Sequence, residues 1–368
     1  MTIAARGTKR SAQLSTPYGA RVSDVEPDII CERRGHAGVV ILNRPRALNA
    51  LTHGMVRGLA KALDDFEADP AVHHVVVTGA GEKAFCAGGD IRQLYELGRA
   101  GRFGEARGFW REEYALNQRI KTYSKPYVAI MDGIVMGGGV GVSLHGSHRI
   151  AGDRYLFAMP EVGIGFFPDV GATWALPRLP GATGTWLAVT GDRVGQADAV
   201  ELGLATHAIA SAQISQVLDA LVAGQPVDTV LAAAAVEMPP APVRDHRTVI
   251  DMAFSADSVE GIIERLGSVD TDPFAARMLA GLSRKSPLSM KLALAQMRAG
   301  ATLGFAEAMR LEFRIVSRIV HGTDFYEGVR AVIIDKDNAP RWQPATLADV
   351  SDALIAGYLA PLPDDLVV

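Results

Sequence analysis

The chain has 368 residues, of which 48% are hydrophobic and 21% are charged, and its formal net charge is −4 at pH 7. A chain of this length and composition can bury a large core, so we expect one large globular domain with a smaller or elaborated C-terminal part. The basic residues are scattered and form no cluster, which argues against a protein that binds nucleic acid or a membrane surface. The two cysteines form no CxxC pair, so neither a zinc site nor a disulfide framework is predicted.

The first segment, residues 1–27, carries several basic residues and no acid before Asp24. We expect a disordered N-terminal tail, since chain ends are commonly untethered. The same composition occurs in organellar transit peptides, so a targeting peptide stays open. The most apolar run, residues 126–144, contains an aspartate and several glycines, which argues against a membrane-spanning helix.

Strand-like runs at residues 38–42, 73–79 and 126–133 alternate with helical patterns. In the first helical pattern, apolar residues recur at helical spacing from Thr52, the expected N-cap, until Pro70 ends the element. Alternating strands and helices predict an α/β layer arrangement.

Two glycine-rich stretches, "AFCAGGDI" at residues 84–91 and "MGGGVGVSLHG" at 136–146, each follow a predicted buried strand. Glycine lets the backbone approach a ligand closely, and N–H groups at a strand-to-helix turn can face a developing negative charge. Two such turns brought together would form an oxyanion hole. Taken singly, each stretch is equally well explained by tight packing.

The stretch "MPEVGIGFFPDVG", residues 159–171, places Glu161 and Asp169 among apolar residues with no basic residue nearby in sequence. Its prolines and glycines forbid a regular helix, so the two acids are expected on consecutive loops. Apolar neighbours desolvate a carboxylate and raise its pKa, which makes it a usable base near neutrality. A capping or solvated acid pair is the alternative that these residues alone leave open.

The remaining acidic and histidine residues that could bear chemistry are expected to have structural roles. Glu112 and Glu113 in "WREEYALNQ" fit the exposed face of a helix. His145 and His148 lack the HExxH pattern of a metal site and are expected to be packing histidines. The chain contains no P-loop motif, and its GVSLHG stretch misses the GxSxG spacing of a nucleophile elbow.

Beyond about residue 210 the strand signals fade and Ala-rich helical patterns dominate, including residues 287–300 and 302–322. The sequence therefore predicts a helical C-terminal part.

The stretches "ILNRPRALNALT", "AFCAGGDI", "KPYVAIMDGIVMGGGVG" and "MPEVGIGFFPDVG" together resemble the crotonase (enoyl-CoA hydratase/isomerase) superfamily in order and spacing. "REEY", "FPDVG" and the C-terminal "DFYEGVRAVIIDKDNAPRWQPATL" resemble its 3-hydroxyisobutyryl-CoA hydrolase branch and extend the match to nearly the whole chain past the tail. The resemblance implies an α/β fold, with a crotonase-like spiral of β-β-α repeats at residues 28–210 and a helical C-terminal region at 211–368. It also implies an acyl-CoA thioester as the substrate.

The resemblance assigns roles to individual residues. The backbone N–H groups of Gly89 and Gly138 would form the oxyanion hole, and Glu161 and Asp169 would be catalytic. Glu113 would complete the polar end of the acyl pocket. The remaining substrate-binding residues would line the path of CoA: Arg46, Ala47, Leu48, Ala87, Asp90 and Ile91.

In the hydratases the glycine motif reads GGGxE, and that glutamate shares in adding water, whereas this chain has Gly141 there. The departure favours hydrolysis of a short 3-hydroxyacyl-CoA thioester, with 3-hydroxyisobutyryl-CoA of valine breakdown implied by the branch. An enoyl-CoA hydratase or isomerase using Glu161 alone is the first alternative. A non-catalytic acyl-CoA-binding protein is the second, and the retained acids weigh against it.

No metal, nucleotide cofactor or flavin is implied, because CoA arrives as part of the substrate. We expect no nucleic-acid or membrane partner. The superfamily commonly forms trimers or pairs of trimers, which implies a homo-oligomer unless the C-terminal extension replaces those contacts. The implied location is the cytoplasm for a bacterial protein and the mitochondrial matrix for a eukaryotic one.

Overall fold

The computed structural model describes residues 27–269 and 271–368. The predicted N-terminal tail, residues 1–27, lies outside the described residues except for Pro27. The strands are β1 (Ile29–Arg34), β2 (Ala37–Leu42), β3 (His74–Gly79), β4 (Ala84–Cys86), β5 (Tyr127–Met131), β6 (Ile134–Met136), β7 (His148–Ala151), β8 (Leu156–Ala158) and β9 (His207–Ala208).

The α-helices of the described residues follow in chain order: α1 (His53–Ala68), α2 (Ile91–Arg99), α3 (Phe103–Lys121), α4 (Gly138–Gly141), α5 (Ala172–Ala175), α6 (Thr183–Thr190), α7 (Gln196–Leu202), α8 (Ile214–Val222), α9 (Val227–Ala234), α10 (Val243–Phe254), α11 (Val259–Gly267), α12 (Pro273–Leu282), α13 (Pro287–Gly300), α14 (Phe305–Ile319), α15 (Asp324–Val329) and α16 (Asp352–Leu359). None of these helices combines the length and apolar character that a membrane span requires.

The strands of the described residues form a six-stranded sheet in the order β1-β2-β3-β5-β7-β9 and a three-stranded sheet in the order β4-β6-β8. Only the β1–β2 pair is antiparallel among them. The valine-rich central strands suit this arrangement, because parallel strands are covered on both faces; Val39 and Val76, which pair across β2 and β3, are both fully buried.

The chain alternates between the two sheets. It leaves β3 for β4, returns through α2 and α3 to β5, passes to β6, and returns through α4 to β7 before reaching β8. This is a spiral of β-β-α repeats, so the predicted fold class is confirmed. The predicted strands at 38–42, 73–79 and 126–133 correspond to β2, β3 and β5.

The first predicted helix is confirmed in detail. The Thr52 side chain accepts a hydrogen bond from the Met55 N–H at 3.2 Å, as an N-cap does, and α1 ends before Pro70. The larger apolar residues of its periodic pattern are all buried: Met55, Val56, Leu59, Leu63 and Phe66.

The C-terminal region is helical, as predicted, and two of its helices, α13 and α14, fall within the predicted segments. They pack against α3, α5 and α6. One hydrophobic cluster of buried side chains spans the spiral and this region, and a second lies between the large sheet and the α8–α9 pair. The boundary between residues 210 and 211 stays a prediction.

Candidate active site

A cavity of about 380 Å³ lies at the carboxyl ends of the small sheet. Its wall includes residues from the segments that follow β4, β6 and β8, at 87–89, 137–138 and 160–161. Neighbouring parallel strands end at the same edge of a sheet, so three motifs far apart in sequence meet there. Residues of α2, α3, the loop before α13 and the π-helical turn Arg330–Ile334 complete the wall.

The two glycine turns approach each other closely. A Cβ built at Gly138 would lie 3.1 Å from the Gly89 nitrogen and 2.7 Å from Glu113 Oε1, so a larger residue there would crowd both groups. Gly88 and Gly137 have φ values of +125° and +46°, which favour glycine. In the described part of the chain, neither the Gly89 nor the Gly138 N–H donates to a turn or loop carbonyl. The pair could therefore bind an oxyanion.

Three acids face this cavity, and all are buried: Glu113 is 2% exposed, Asp169 4% and Glu161 6%. Burial raises the pKa of each of them, to about 7 for Asp169, and the charge of Asp169 raises the pKa values of Glu113 and Glu161 further. Among the described residues, Glu113 Oε1 and Glu161 Oε2 have no hydrogen-bond partner. A carboxyl group whose pKa is raised in this way is a stronger base than an exposed one and is suited to proton transfer.

Position on α3 decides which of two adjacent glutamates reaches the cavity. The exposed Glu112 carboxylate accepts hydrogen bonds from the Arg57 guanidinium at 2.6 and 2.7 Å, as a surface acid does. Glu113 points inward, so the surface position expected from the residues alone is wrong for it. Tyr114, one residue further, is fully buried and donates a hydrogen bond from Oη to Asp169 Oδ2 at 2.8 Å.

A second layer holds the Asp169 loop. Glu312 of α14 is fully buried and accepts hydrogen bonds from the N–H groups of Gly171 and Thr173 at 2.8 and 2.9 Å. Burial and the charge of Asp169 raise the pKa of Glu312 to about 8. Gln296 of α13 donates to the Pro168 carbonyl at 2.9 Å. Sequence reasoning missed these residues; the only signal was a polar residue inside an apolar helical pattern.

The C-terminal region also supplies part of the cavity wall. Lys285, in the loop before α13, and Val332 and Ile333 line the cavity. Burial lowers the pKa of Lys285. None of these three carried a signal in the sequence analysis, because nothing local links them to the glycine turns.

Position 141 has no room for a carboxylate. A Cβ built at Gly141 would lie 2.7 Å from Asn117 Nδ2 and 2.8 Å from Val170 Cβ. The space that a hydratase would use for its second glutamate is filled by the side chains of α3 and of the Asp169 loop.

Some of the residues predicted to line the path of CoA lie in the cavity wall, and the others lie beside it. Ala87 and Ile91 line the cavity. Asp90 is ion-paired with Arg44 at 3.0 Å and caps α2. The other three occupy the neighbouring turn outside the cavity wall, where the Leu48 carbonyl accepts a hydrogen bond from the Ala87 N–H at 3.0 Å: Arg46, Ala47 and Leu48.

The histidines pack as expected. His145 is buried and contacts the Val170 carbonyl through Nε2 at 2.7 Å, and His148 lies 3.0 Å from Asp228. Within residues 27–269 and 271–368, no three His, Cys, Asp or Glu side chains are grouped so that they could hold a metal ion.

A family model described as enoyl-CoA hydratase/isomerase matches residues 37–359. Among curated proteins, "3-hydroxyisobutyryl-CoA hydrolase, mitochondrial" of Danio rerio is 45% identical over 338 residues, which are 89% of this chain and 88% of the relative. The protein of that name from Homo sapiens is 41% identical over 340 residues, covering 90% of this chain and 88% of the relative.

Two solved structures are also similar. A carnitinyl-CoA dehydratase from Mycobacterium thermoresistibile has a TM-score of 0.89 and 42% identity, covering 93% of this chain and 99% of its own. An enoyl-CoA hydratase from Rhodobacter sphaeroides 2.4.1 has a TM-score of 0.88 and 40% identity, covering 93% of this chain and 100% of its own.

Proposed function

The chain belongs to the enoyl-CoA hydratase/isomerase family, and from that premise we propose that it hydrolyses 3-hydroxyisobutyryl-CoA to 3-hydroxyisobutyrate and CoA, a step of valine catabolism. Curated relatives that share more than two fifths of its sequence over about nine tenths of its length carry the name of that hydrolase. The protein is thus an acyl-CoA thioester hydrolase.

The acid set of the cavity is the observation that carries this proposal. Glu161, Asp169 and Glu113 face two adjacent glycine amides, while the hydratase position, 141, is filled by Asn117 and Val170. The two similar solved structures are titled as a dehydratase and a hydratase. Syn addition of water is best served by a carboxylate pair that relays its proton, and this chain cannot supply that pair from position 141.

The mechanism starts at the thioester carbonyl. The N–H groups of Gly89 and Gly138 bind its oxygen, and each donor aimed at the developing charge contributes about 3 kcal/mol to lowering the barrier. Glu161 then follows one of two routes. As a nucleophile it forms a mixed anhydride and expels the CoA thiolate, and water hydrolyses the anhydride; as a base it deprotonates a water that attacks directly. In both routes a C–O bond to the oxygen of water finally replaces the C–S bond, and a proton equivalent to the one that water loses ends on the CoA sulfur, which is released as the thiol.

Asp169 recognises the hydroxyl group of the substrate. Its carboxylate, held by Tyr114 at 2.8 Å, can accept a hydrogen bond from that hydroxyl, with Glu113 completing the polar end of the pocket. A site built to bind a hydroxyl rejects the analogue without it, because buried polar groups are then left unpaired.

Aromatic side chains limit the length of the acyl chain. Phe109, Trp110 and Phe166 line the cavity, and the rings of Trp110 and Phe166 stack with centroids 5.8 Å apart. Closely packed rings of this size leave space for a short, branched acyl group.

Release of free CoA thiol tests the proposal directly. We expect rapid release from 3-hydroxyisobutyryl-CoA, much slower release from isobutyryl-CoA, and no loss of enoyl absorbance from crotonyl-CoA. Absorbance loss without thiol release would identify a hydratase, and binding without either reaction would identify a non-catalytic acyl-CoA-binding protein.

Glu161→Gln is expected to abolish thiol release while binding of the CoA ester, measured by calorimetry, is largely kept. The matched control is Glu112→Gln, which changes an exposed acid of α3 and should leave turnover near that of the unaltered protein. Turnover retained in Glu161→Gln would remove Glu161 from the reaction.

We further infer that catalysis needs no metal or separate cofactor, since CoA enters with the substrate, and that the chain forms a homo-trimer or hexamer as its superfamily commonly does. Measurement of the molecular mass in solution tests the oligomeric state.

The curated relatives are named as mitochondrial proteins. The corresponding location is the mitochondrial matrix in a eukaryote and the cytoplasm in a bacterium.

A further inference from the structure

The C-terminal region places one ammonium group beside the acids of the cavity. Lys285 lines the cavity, and a Cβ built at Gly163 would lie 3.1 Å from its Nζ. Gly163 belongs to the 3-10 turn Glu161–Ile164, which begins with the proposed catalytic glutamate. Among the described residues, Lys285 forms no salt bridge, although it is the one cation in the cavity wall.

The backbone around Lys285 is fixed to that turn. The next residue, Ser286, is fully buried and donates its N–H to the Val162 carbonyl at 3.1 Å. Its hydroxyl donates to Asp324 Oδ2 at 2.6 Å and accepts the Ser289 N–H at 3.1 Å as the N-cap of α13. The lysine is therefore held beside the Glu161 turn by several independent hydrogen bonds.

We propose that Lys285 is a positioning residue of the hydrolase reaction, whose ammonium group favours the carboxylate form of Glu161 that either catalytic route requires. The inference rests on the proposed role of Glu161. Burial and neighbouring acids favour the protonated form of a carboxyl group, and in that form Glu161 could neither attack the carbonyl nor deprotonate water.

The charges around Glu161 support this role. Burial and the charge of Asp169 raise the pKa of Glu161 well above its ordinary value, while a hydrogen bond from its own backbone N–H and the charge of Lys285 act in the opposite direction. Of the charges near Lys285, Asp192 and Glu161 raise its pKa and Arg193 lowers it. The other charged groups of the surrounding elements have partners of their own: Asp192 with Arg277, Lys291 with Glu260, Glu327 with Arg330, and Asp324 with Ser286 and the Gln343 N–H.

The size of the effect follows from charge proximity. An opposite charge close to a carboxyl group lowers its pKa by about one to three pH units. Lys285 and Glu161 form no contact ion pair among the described residues, so removing the ammonium group should move the acid limb of the kcat/KM profile upward by about one pH unit, the lower end of that range, which is about a tenfold loss of kcat/KM at any pH below the limb.

The kinetic test compares Lys285→Met, Lys285→Gln and Lys285→Arg by thiol release across the pH range. We expect the two neutral variants to share the raised acid limb, with rates at alkaline pH near those of the unaltered protein, and Lys285→Arg to restore the original limb. Arg284→Met removes the neighbouring exposed cation and should leave the profile in place. An unmoved limb with a raised KM would overturn the proposal and assign the ammonium group to the phosphates of CoA.

A measurement without substrate separates this proposal from the hydrolase assignment. In protein labelled with ¹³C at glutamate carboxyl carbons, the resonance missing from Glu161→Gln identifies Glu161, and its titration gives the pKa directly. We expect that pKa to be higher in both neutral variants. The same titration curve in Lys285→Met and the unaltered protein would refute the role of Lys285 whether or not the protein hydrolyses the ester.

Discussion

Tyr114→Phe removes one hydroxyl group from the centre of the site. The Tyr114 Oη donates to Asp169 Oδ2 at 2.8 Å, and both residues are buried. A hydrogen bond to a charged group contributes about 1.5–3 kcal/mol, so losing it should cost about tenfold to a hundredfold in any step that needs the Asp169 carboxylate. Phenylalanine keeps the shape of the ring, so the change is confined to this bond.

The pH dependence follows from the same bond. Burial raises the pKa of Asp169 to about 7, and the Tyr114 hydrogen bond acts in the opposite direction. Without it, the pKa of Asp169 should rise by about one to two pH units, because one pH unit corresponds to 1.36 kcal/mol. At neutral pH the carboxylate fraction then falls from about half to below about a tenth.

The assay is kcat/KM for thiol release from 3-hydroxyisobutyryl-CoA and isobutyryl-CoA across the neutral and alkaline range. We expect the loss to be larger for the hydroxyacyl ester, to shrink as pH rises, and to resemble that of Asp169→Asn at neutral pH. The matched control is Tyr127→Phe, since Tyr127 is equally buried but donates to the Val142 carbonyl at 2.7 Å, away from the acids. Equal losses on the two esters in Tyr114→Phe would refute the role of Asp169 in reading the hydroxyl.

Two predictions concern stability, measured by urea unfolding. Gly141→Ala should lower the free energy of unfolding by about 1–3 kcal/mol, because the added methyl group overpacks against Asn117 and Val170. Gly108→Ala is the control: its methyl group lies in open space on α3, so the free energy of unfolding should rise by about 0.5–1 kcal/mol. An unchanged free energy of unfolding in Gly141→Ala would show that the space at position 141 is free. Burial lowers the pKa of His145 to about 4 from 6.5. Between pH 6.5 and about 4 the unfolded state therefore binds more protons than the folded state, so the free energy of unfolding should fall by up to about 3 kcal/mol as the pH drops through this range. His145→Gln should reduce that fall. An equal fall in His145→Gln would mean that another group causes it.

Local rules were enough to predict several of the elements, whereas the shared site of the motifs was expected from the family resemblance. Thr52 and Pro70 mark the ends of α1 because capping and the missing N–H of proline act within one turn of helix. The motifs that begin after β4, β6 and β8 converge because parallel neighbours end at one edge. The apolar surroundings of Glu161 and Asp169 could also be read from their neighbours in sequence, and both acids are buried with raised pKa values.

Long-range packing decided the features that the sequence did not predict. Glu112 and Glu113 are adjacent residues of the same type, so their local sequence does not distinguish them. Only the packing of α3 against α1 and α14 decides that one points outward and the other into the cavity. Lys285 follows Glu161 by more than a hundred residues, so the absence of a basic residue near Glu161 in sequence gave no indication that a cation lies beside it. Glu312 looked like any acid on an amphipathic helix, because the two N–H groups that it holds lie on a loop far away in sequence.

These hidden residues explain how the protein tolerates so many buried acids. A buried carboxylate without compensation is costly, and repulsion between neighbouring acids adds to that cost. Three of the four acids have different forms of support: Asp169 has the Tyr114 hydroxyl, Glu312 has two backbone N–H groups, and Glu161 has the charge of Lys285. Glu113 has an oxygen without a partner among the described residues, which leaves it free to complete the polar end of the pocket beside Asp169. Two ionisable groups of this arrangement, Lys285 in the cavity wall and Glu312 behind the Asp169 loop, come from the C-terminal region, so that region completes a site that the spiral alone would leave without them.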